Sequence, residues 1–260
     1  MPTGIGSGIA GSVFGRAIAS APRPDPCLTV YSIVFDGVSD AGLLVNGPNL
    51  GVADFSFSFW INVPDVTGGG SGLGIYISGL GLPGALNIAF DSAGTLEASS
   101  SDTGSGAISF PNVGTISNNA WHHIVLSVDR SSNWKWYVDG VNTATTNFSS
   151  ITTSFPGAGV TFIYGPSLGS NYFSGNTTET SIWDSALSAS EVLDIYNNMS
   201  GDQTCLNDLT ISGSLLRWFR MTGSNSWAPT SPNVAPGAVA TEYIVFQNMD
   251  ASNLSTDVPT

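Results

Sequence analysis

The sequence predicts an all-β protein built as a sandwich of antiparallel sheets, and three observations carry that reading. Phe55-Ser-Phe-Ser-Phe-Trp-Ile61 alternates strictly, which puts Phe55, Phe57 and Phe59 on one face of a strand. Asn119-Ala-Trp-His-His-Ile-Val-Leu-Ser-Val-Asp129 alternates too: Trp121, His123, Val125, Ser127 and Asp129 share one side, and His122, Ile124, Leu126 and Val128 share the other. Through residues 30–200, Gly, Pro, Asn and Asp interrupt the apolar runs at intervals suited to strands.

Taken in order, the chain opens on an arm, residues 1–29, rich in Gly and Ala. Ile5, Ile9, Phe14 and Ile18 are spaced as one loose apolar stripe of a helix. Gly4, Gly6, Gly8, Gly11 and Gly15 each weaken a free-standing helix by about 1 kcal/mol, so the segment reads either as a disordered tail or as an arm ordered by assembly contacts with a partner. Ala21-Pro-Arg-Pro-Asp-Pro26 reads as an extended spacer. Tyr31-Ser-Ile-Val-Phe-Asp-Gly37 begins the sandwich, assigned to 30–200. Further strands are expected around Gly74–Ile77, Leu86–Phe90, Ala107–Phe110, Val160–Tyr164 and Tyr172–Phe173. Arg130-Ser-Ser-Asn133 turns the chain into Trp134-Lys-Trp-Tyr-Val138, and Asp139-Gly140 makes the next turn. Ser188-Ala-Ser-Glu191 has the form of a capping box; Val192, Ile195, Tyr196 and Met199 follow at helical spacing, with Gly201 as the stop. Residues 201–260 read as a separate strap with strands at Leu215–Met221 and Tyr243–Phe246.

Composition excludes whole classes of partner. Only 10% of the 260 residues are charged, against about 25% in an average soluble domain, and the net charge is −13 with 6 basic residues. No basic patch is available for phosphates, and an anionic membrane surface would repel the chain, so neither nucleic acid nor membrane is an expected partner. The apolar runs are strand-length, too short to span a bilayer. Met1-Pro-Thr-Gly-Ile-Gly-Ser-Gly-Ile-Ala10 has neither the basic start nor the apolar run of a secretory signal. The expectation is release without such a signal, for example packaged in a particle.

Phe-Asp-Gly at 35–37, Phe-Ser-Phe-Trp-Ile at 57–61, the Trp-His-His hairpin ending in Tyr137-Val-Asp-Gly140, Phe173-Ser-Gly175 and Ile182-Trp-Asp-Ser-Ala-Leu-Ser188 occur in order along the chain. This set resembles the laminin-G-like, concanavalin A-like jelly-roll family and implies a two-sheet antiparallel jelly-roll sandwich. The fold carries lectins, glycan hydrolases, adhesion modules and structural parts alike, so it speaks to architecture before function. Where the family has Ile-Asp-Glu after Phe-x-Gly-x, this chain has Thr177-Thr178-Glu179, and the missing acid at Thr178 weakens any inherited metal or ligand role at that edge. The two ends of such a jelly roll lie side by side, which would allow a disulfide between Cys27 and Cys205; free thiols are the alternative. Asn248-Met-Asp-Ala-Ser-Asn-Leu-Ser-Thr-Asp-Val-Pro259, with Arg217-Trp-Phe-Arg-Met221 before it, is similar to the tail after such a domain in structural proteins of marine bacteriophages. That likeness implies a non-enzymatic virion component, either capsid decoration or part of a tail or fibre. It would be a homo-oligomer touching other virion proteins, with a cell-surface glycan as a further ligand. The alternative is an extracellular carbohydrate-binding or adhesion module of a microbial surface protein.

No catalytic constellation emerges. His122 and His123, the only histidines, point to opposite faces of one strand. Gly165-Pro-Ser-Leu-Gly169 has the spacing of a nucleophile elbow, but strand-like Asn171-Tyr-Phe173 follows where a helix is needed, so a turn is expected. Glu97, Glu179, Glu191 and Glu242 never fall into the paired arrangement of a retaining glycosidase. Asp36, Asp40, Asp54 and Asp139, at strand ends, are the candidate calcium ligands, with ordinary turns as the competing reading. No other cofactor is expected. Glycan binding calls for aromatics beside polar donors and acceptors; Trp134, Tyr164, Asn171 and Tyr172, near predicted loops, are the candidates. Trp134 alternatively continues the packed face of Trp136 and Val138. N-x-S/T sequons at Asn147, Asn176, Asn198 and Asn253 are expected by chance in so Asn-, Ser- and Thr-rich a chain.

Overall fold

The computed structural model describes residues 31–66, 85–90, 95–102, 106–147, 161–165, 172–199, 205–221 and 230–259. The first strands are β1 (Ser32–Asp36), β2 (Ala41–Val45), β3 (Phe55–Asn62), β4 (Ala85–Phe90), β5 (Thr95–Asp102) and β6 (Gly106–Thr115). Then come β7 (Trp121–Val128), β8 (Asn133–Val138), β9 (Val141–Asn147), β10 (Thr161–Tyr164) and β11 (Ser174–Trp183). Helix α1 (Ala189–Met199) precedes β12 (Leu215–Phe219), β13 (Thr230–Pro232), β14 (Tyr243–Gln247) and β15 (Leu254–Ser255).

The two alternating segments become neighbours: β3 pairs antiparallel with β7, Phe59 opposite Ile124 and Trp60 opposite His123. They lie centrally in a sheet of order β15-β1-β11-β3-β7-β8-β9. β1 pairs with the first half of β11, and β12 takes over along its second half. A second sheet runs β10-β2-β14-β13, and β4-β5-β6 form a third. Ile33, Phe35, Phe59 and Ile124 of the large sheet meet Leu44, Tyr164, Ile244 and Phe246 of the second in one buried cluster, which is the sandwich core. At about 25 cal/mol per Å² of apolar area removed from water, this cluster is the main source of stability.

Residues beyond 201 are woven into both sheets. β12 and β15 join the large sheet, while β13 and β14 join the second. The expected strand at Tyr172–Phe173 is irregular chain instead, and β11 starts at Ser174. Phe173 is turned into the core against Phe35 and Tyr164, with centroids 5.5 and 5.6 Å apart, and its carbonyl accepts from Gly37 N, so it is anchored without a ladder. Gly74–Ile77, the arm residues Ile5, Ile9, Phe14 and Ile18, and Cys27 lie outside the described residues. Cys205 is disulfide-bonded.

One irregularity shapes β11. The β11–β3 register shifts between Thr178 and Ser181, and Glu179 sits there at a φ of 49°, a β-bulge. In a regular strand Thr177 and Thr180 would face opposite ways. The bulge turns both hydroxyls to the core, where each hydrogen-bonds Tyr164 Oη at 2.7 Å. Helix α1 closes the other side of the sheet. The capping box forms as expected: Ser188 N donates to Glu191 Oε2 at 2.7 Å, and Glu191 N donates to Ser188 Oγ at 3.3 Å. Val192 and Ile195 then pack with Val125, Tyr137 and Trp183.

Candidate functional site

Of the glycan candidates read from the sequence, two are corrected. Trp134 and Tyr164 are both 0% exposed, so neither can stack on a sugar. Trp134 continues the inward face of Trp136 and Val138, and burial pushes the Tyr164 hydroxyl up to about 12 against the opposing pull of Thr177 and Thr180. Nearness to a loop in sequence is not exposure. Tyr172 is half-buried, and Asn171 lies outside the described residues.

The aspartates are engaged in turns. Asp36 Oδ1 accepts from the amides of Val38, Ser39 and Asp40 at 2.8–3.0 Å. Asp40 Oδ2 accepts from Asp36 N and Asn253 Nδ2 at 3.0 and 2.8 Å. Asp54 Oδ1 accepts from Arg130 N at 2.8 Å. Among the described residues no group of three His, Cys, Asp or Glu side chains gathers as a metal site would require.

The two histidines take different roles. His123 is wholly buried; its Nε2 lies 2.7 Å from Ser58 Oγ, and its ring stacks on Trp60 at 5.0 Å. Tyr196 of α1 stacks on Trp60 in turn, at 5.6 Å, so three rings line the interface between sheet and helix. Burial holds the His123 ring down at about 3, despite the nearby Asp139. His122 stands at the rim. Its Nε2 accepts from Ser117 N at 3.1 Å and lies 2.9 Å from Ser117 Oγ, while Nδ1 lies 2.7 Å from Asp139 Oδ2. A backbone N–H can only donate, so Nε2 carries the lone pair and Nδ1 the proton. Asp139 Oδ1 also accepts from His123 N at 2.9 Å. The sequence order Ser117, His122, Asp139 therefore makes a relay with the outline of a catalytic triad. However, the Nε2 lone pair is shared with the amide of the same serine, and this arrangement staples the turn before β7 to the turn after β8.

The surface that sequence reading missed lies on the helix side of the large sheet, beyond the end of the ring stack. Directly opposed residues of paired strands share a face. Thr178, Trp60 and His123 form one cross-strand row, and two residues further along Asn176, Asn62 and Trp121 form the next. All three of these are half-exposed. Asp257 of the C-terminal tail sits against them, with Trp121 Nε1 donating to Oδ1 and Asn62 Nδ2 donating to Oδ2, both at 3.0 Å. The Asp257 carbonyl accepts from Ser32 Oγ at 2.6 Å, and Ser32 Oγ in turn accepts from Asn176 Nδ2 at 3.3 Å. An indole, two amides and an exposed carboxylate thus converge at one end of three central strands. The register of Phe-Ser-Phe-Trp-Ile-Asn against Trp-His-His is the sequence signal that pairs Asn62 with Trp121; nothing local announces Asp257. A separate cavity of about 420 Å³ lies beside Trp183, Leu206, Ile211, Gly213, Ser214 and Pro236.

Residues 36–193 match the profile of the concanavalin A-like lectin/glucanases superfamily, laminin-G type. No protein of curated function matches the chain by sequence. Among solved structures, a putative carbohydrate binding protein from Bacteroides ovatus is similar with a TM-score of 0.58 at 18% identity, over 88% of this chain and 61% of that one. The chain thus spans less than two thirds of that protein's length. The heptameric SAP-like pentraxin of Limulus polyphemus is similar with a TM-score of 0.54 at 14% identity, over 73% of this chain and 93% of that one. At these identities the likeness is one of fold.

Proposed function

The chain belongs to the concanavalin A-like lectin/glucanase superfamily, and from that premise we propose that it is a glycan-binding module that does not cleave its ligand. The observation that carries the reading is the helix-side row at the ends of β11, β3 and β7, where Trp121 stands beside Asn62, Asn176 and Asp257. A ring face with amide and carboxylate neighbours is the combination a sugar needs: apolar C–H surface to stack and hydroxyls to place. Binding without cleavage is supported by how three of the four glutamates are used. Glu179 accepts from Trp218 Nε1 and Arg220 Nε, Glu191 caps α1, and Glu242 pairs with Arg217 at 2.7 Å. None of these is left to act as acid or nucleophile across a glycosidic bond. A glycan array probed with the full chain tests the reading: reproducible capture of a defined glycan is expected, and a blank array over neutral and acidic panels would sink it.

A second reading, a structural part of a virion, is favoured by the C-terminal segment. Its sequence is similar to the tails of bacteriophage structural proteins, and its strands enter both sheets. In that setting the sandwich would be displayed outward, and Ile5, Ile9, Phe14 and Ile18 of the arm would contact neighbouring subunits. Light scattering of the full chain and of residues 27–260 decides: an oligomer that becomes a monomer on removal of the arm supports assembly, and two monomers remove its physical basis.

A further inference from the structure

Building on the glycan-binding reading, we infer that the C-terminal tail completes the sugar site: Asp257 accepts hydroxyl hydrogens from a neutral hexose that stacks on Trp121 beside the amides of Asn62 and Asn176, without a metal. Asp257 lies well outside the family-matched segment 36–193, so this element belongs to the chain's own tail. The sheet supplies a rigid floor, since Asn176, Asn62 and Trp121 are successive partners across β11, β3 and β7. The tail is fixed onto that floor by three contacts, from Ser32 Oγ, Asn62 Nδ2 and Trp121 Nε1, at 2.6–3.0 Å.

The unused valences define the ligand. A carboxylate offers about four lone-pair sites. Each oxygen of Asp257 takes one side-chain hydrogen bond, which leaves an acceptor position on each for a ligand hydroxyl. The Trp121 N–H is already engaged, so the indole has its ring face to offer. Asn62 and Asn176 direct amide hydrogens inward to Asp257 and Ser32, which turns their carbonyl oxygens into further acceptors. The site therefore presents the Asp257 and amide oxygens, the second N–H of each amide and an apolar plane, which suits a ligand rich in hydroxyls that both donate and accept. Among the described residues no cation pairs with Asp257, and the chain as a whole carries −13, so uronate or sulfate groups would meet like charge. Asp257 is the lone carboxylate of the row, too few for calcium.

The test is calorimetric titration of the full chain, in EDTA, with soluble glucan, mannan and galactan on one side and alginate and polygalacturonate on the other. Binding of a neutral glycan is expected, weakened about tenfold or more by Trp121→Ala and by Asp257→Asn. Asp257 is exposed, so its amide variant keeps the fold, checked by an unchanged thermal melt. Full affinity in both variants, or loss on Tyr172→Ala alone, overturns the site while leaving glycan binding in place. A requirement for calcium or a preference for the uronates overturns the ligand class. Failure of the native chain to bind any glycan overturns the site and the underlying reading together.

Discussion

The two faces of the large sheet are both buried, yet they are held by different physics. Along β3 the inner face is Phe55, Phe57, Phe59 and Ile61, and along β7 it is Ile124, Leu126 and Val128, all in the apolar core. The outer face of the same strands reads Ser56, Ser58, Trp60, then His123, Val125, Ser127. Its hydroxyls are buried only because each has a directed partner. Ser56 Oγ donates to the Ser185 carbonyl at 2.7 Å and accepts from Leu187 N at 3.0 Å, and Ser127 Oγ donates to the Leu187 carbonyl at 2.8 Å. These bonds sew the α1 entry loop to the sheet. The lesson is that volume fills one face, while the other depends on geometry at single atoms.

Substitutions separate the two. Phe59→Ala opens a cavity in the inner face and is expected to destabilise by about 3–5 kcal/mol in urea denaturation. A loss below that of a surface alanine would mean that the core is not where the strands place it. Ser56→Ala removes almost no volume but strips two hydrogen bonds and orphans the Leu187 amide, for about 2 kcal/mol. If Ser56→Ala were neutral, the outer face would be held by packing alone, and the contrast would collapse.

How much of this was legible follows from the range over which each signal acts. Period-two alternation located both strand faces, because side-chain direction is a local property, and the Ser188–Glu191 box located the helix start for the same reason. Loop proximity makes Trp134 and Tyr164 glycan candidates, but it does not measure exposure; β8 and β10 turn both into the core, and for Trp134 the alternation with Trp136 and Val138 is the signal that holds. The bulge at Glu179 hid the inward turn of Thr180, since one extra residue reverses the alternation beyond it. The Asn176–Asn62–Trp121 row needs three strands in register, and Asp257 reaches Trp121 across 136 residues of sequence. Such contacts exist only once the tail has docked.

The outer face carries a pH signature that the inner face lacks. His123 has its ring held at about 3 against an ordinary 6.5, so the unfolded chain binds a proton that the folded chain refuses between those values. Its destabilising effect fades above 6.5 and grows as pH falls, reaching roughly 1 kcal/mol at pH 5.5. Glu191 acts in another window. Burial raises its carboxyl, but the hydrogen bonds from Ser188 and Ser212 outweigh that and draw it down to about 2, so its contribution is lost only as pH falls from its ordinary 4.5 toward 2. Urea melts at pH 7.5 and 5.5 therefore leave Glu191 out, and substitution singles out His123 from His122. The difference between them should shrink in His123→Phe, and an unchanged difference would show that the ring is not the responsible group.

The smallest effect is expected at the rim where the two faces meet. Ser117→Ala removes the hydroxyl 2.9 Å from His122 Nε2 but keeps the backbone N–H that donates to the same nitrogen at 3.1 Å. The Asp139 contact on Nδ1 is untouched. Because Ser117 is exposed and water can replace the lost partner, the change should stay under about 1 kcal/mol in the same melts. Reactivity sharpens the point beyond stability. A serine activated by this imidazole would need the Nε2 lone pair to itself in order to pass on its proton, whereas here its own amide holds that lone pair. The native chain treated with a fluorophosphonate should therefore carry no adduct on Ser117 by mass spectrometry. A stoichiometric adduct that disappears in Ser117→Ala would mean that the relay is a nucleophile and not a staple between two turns.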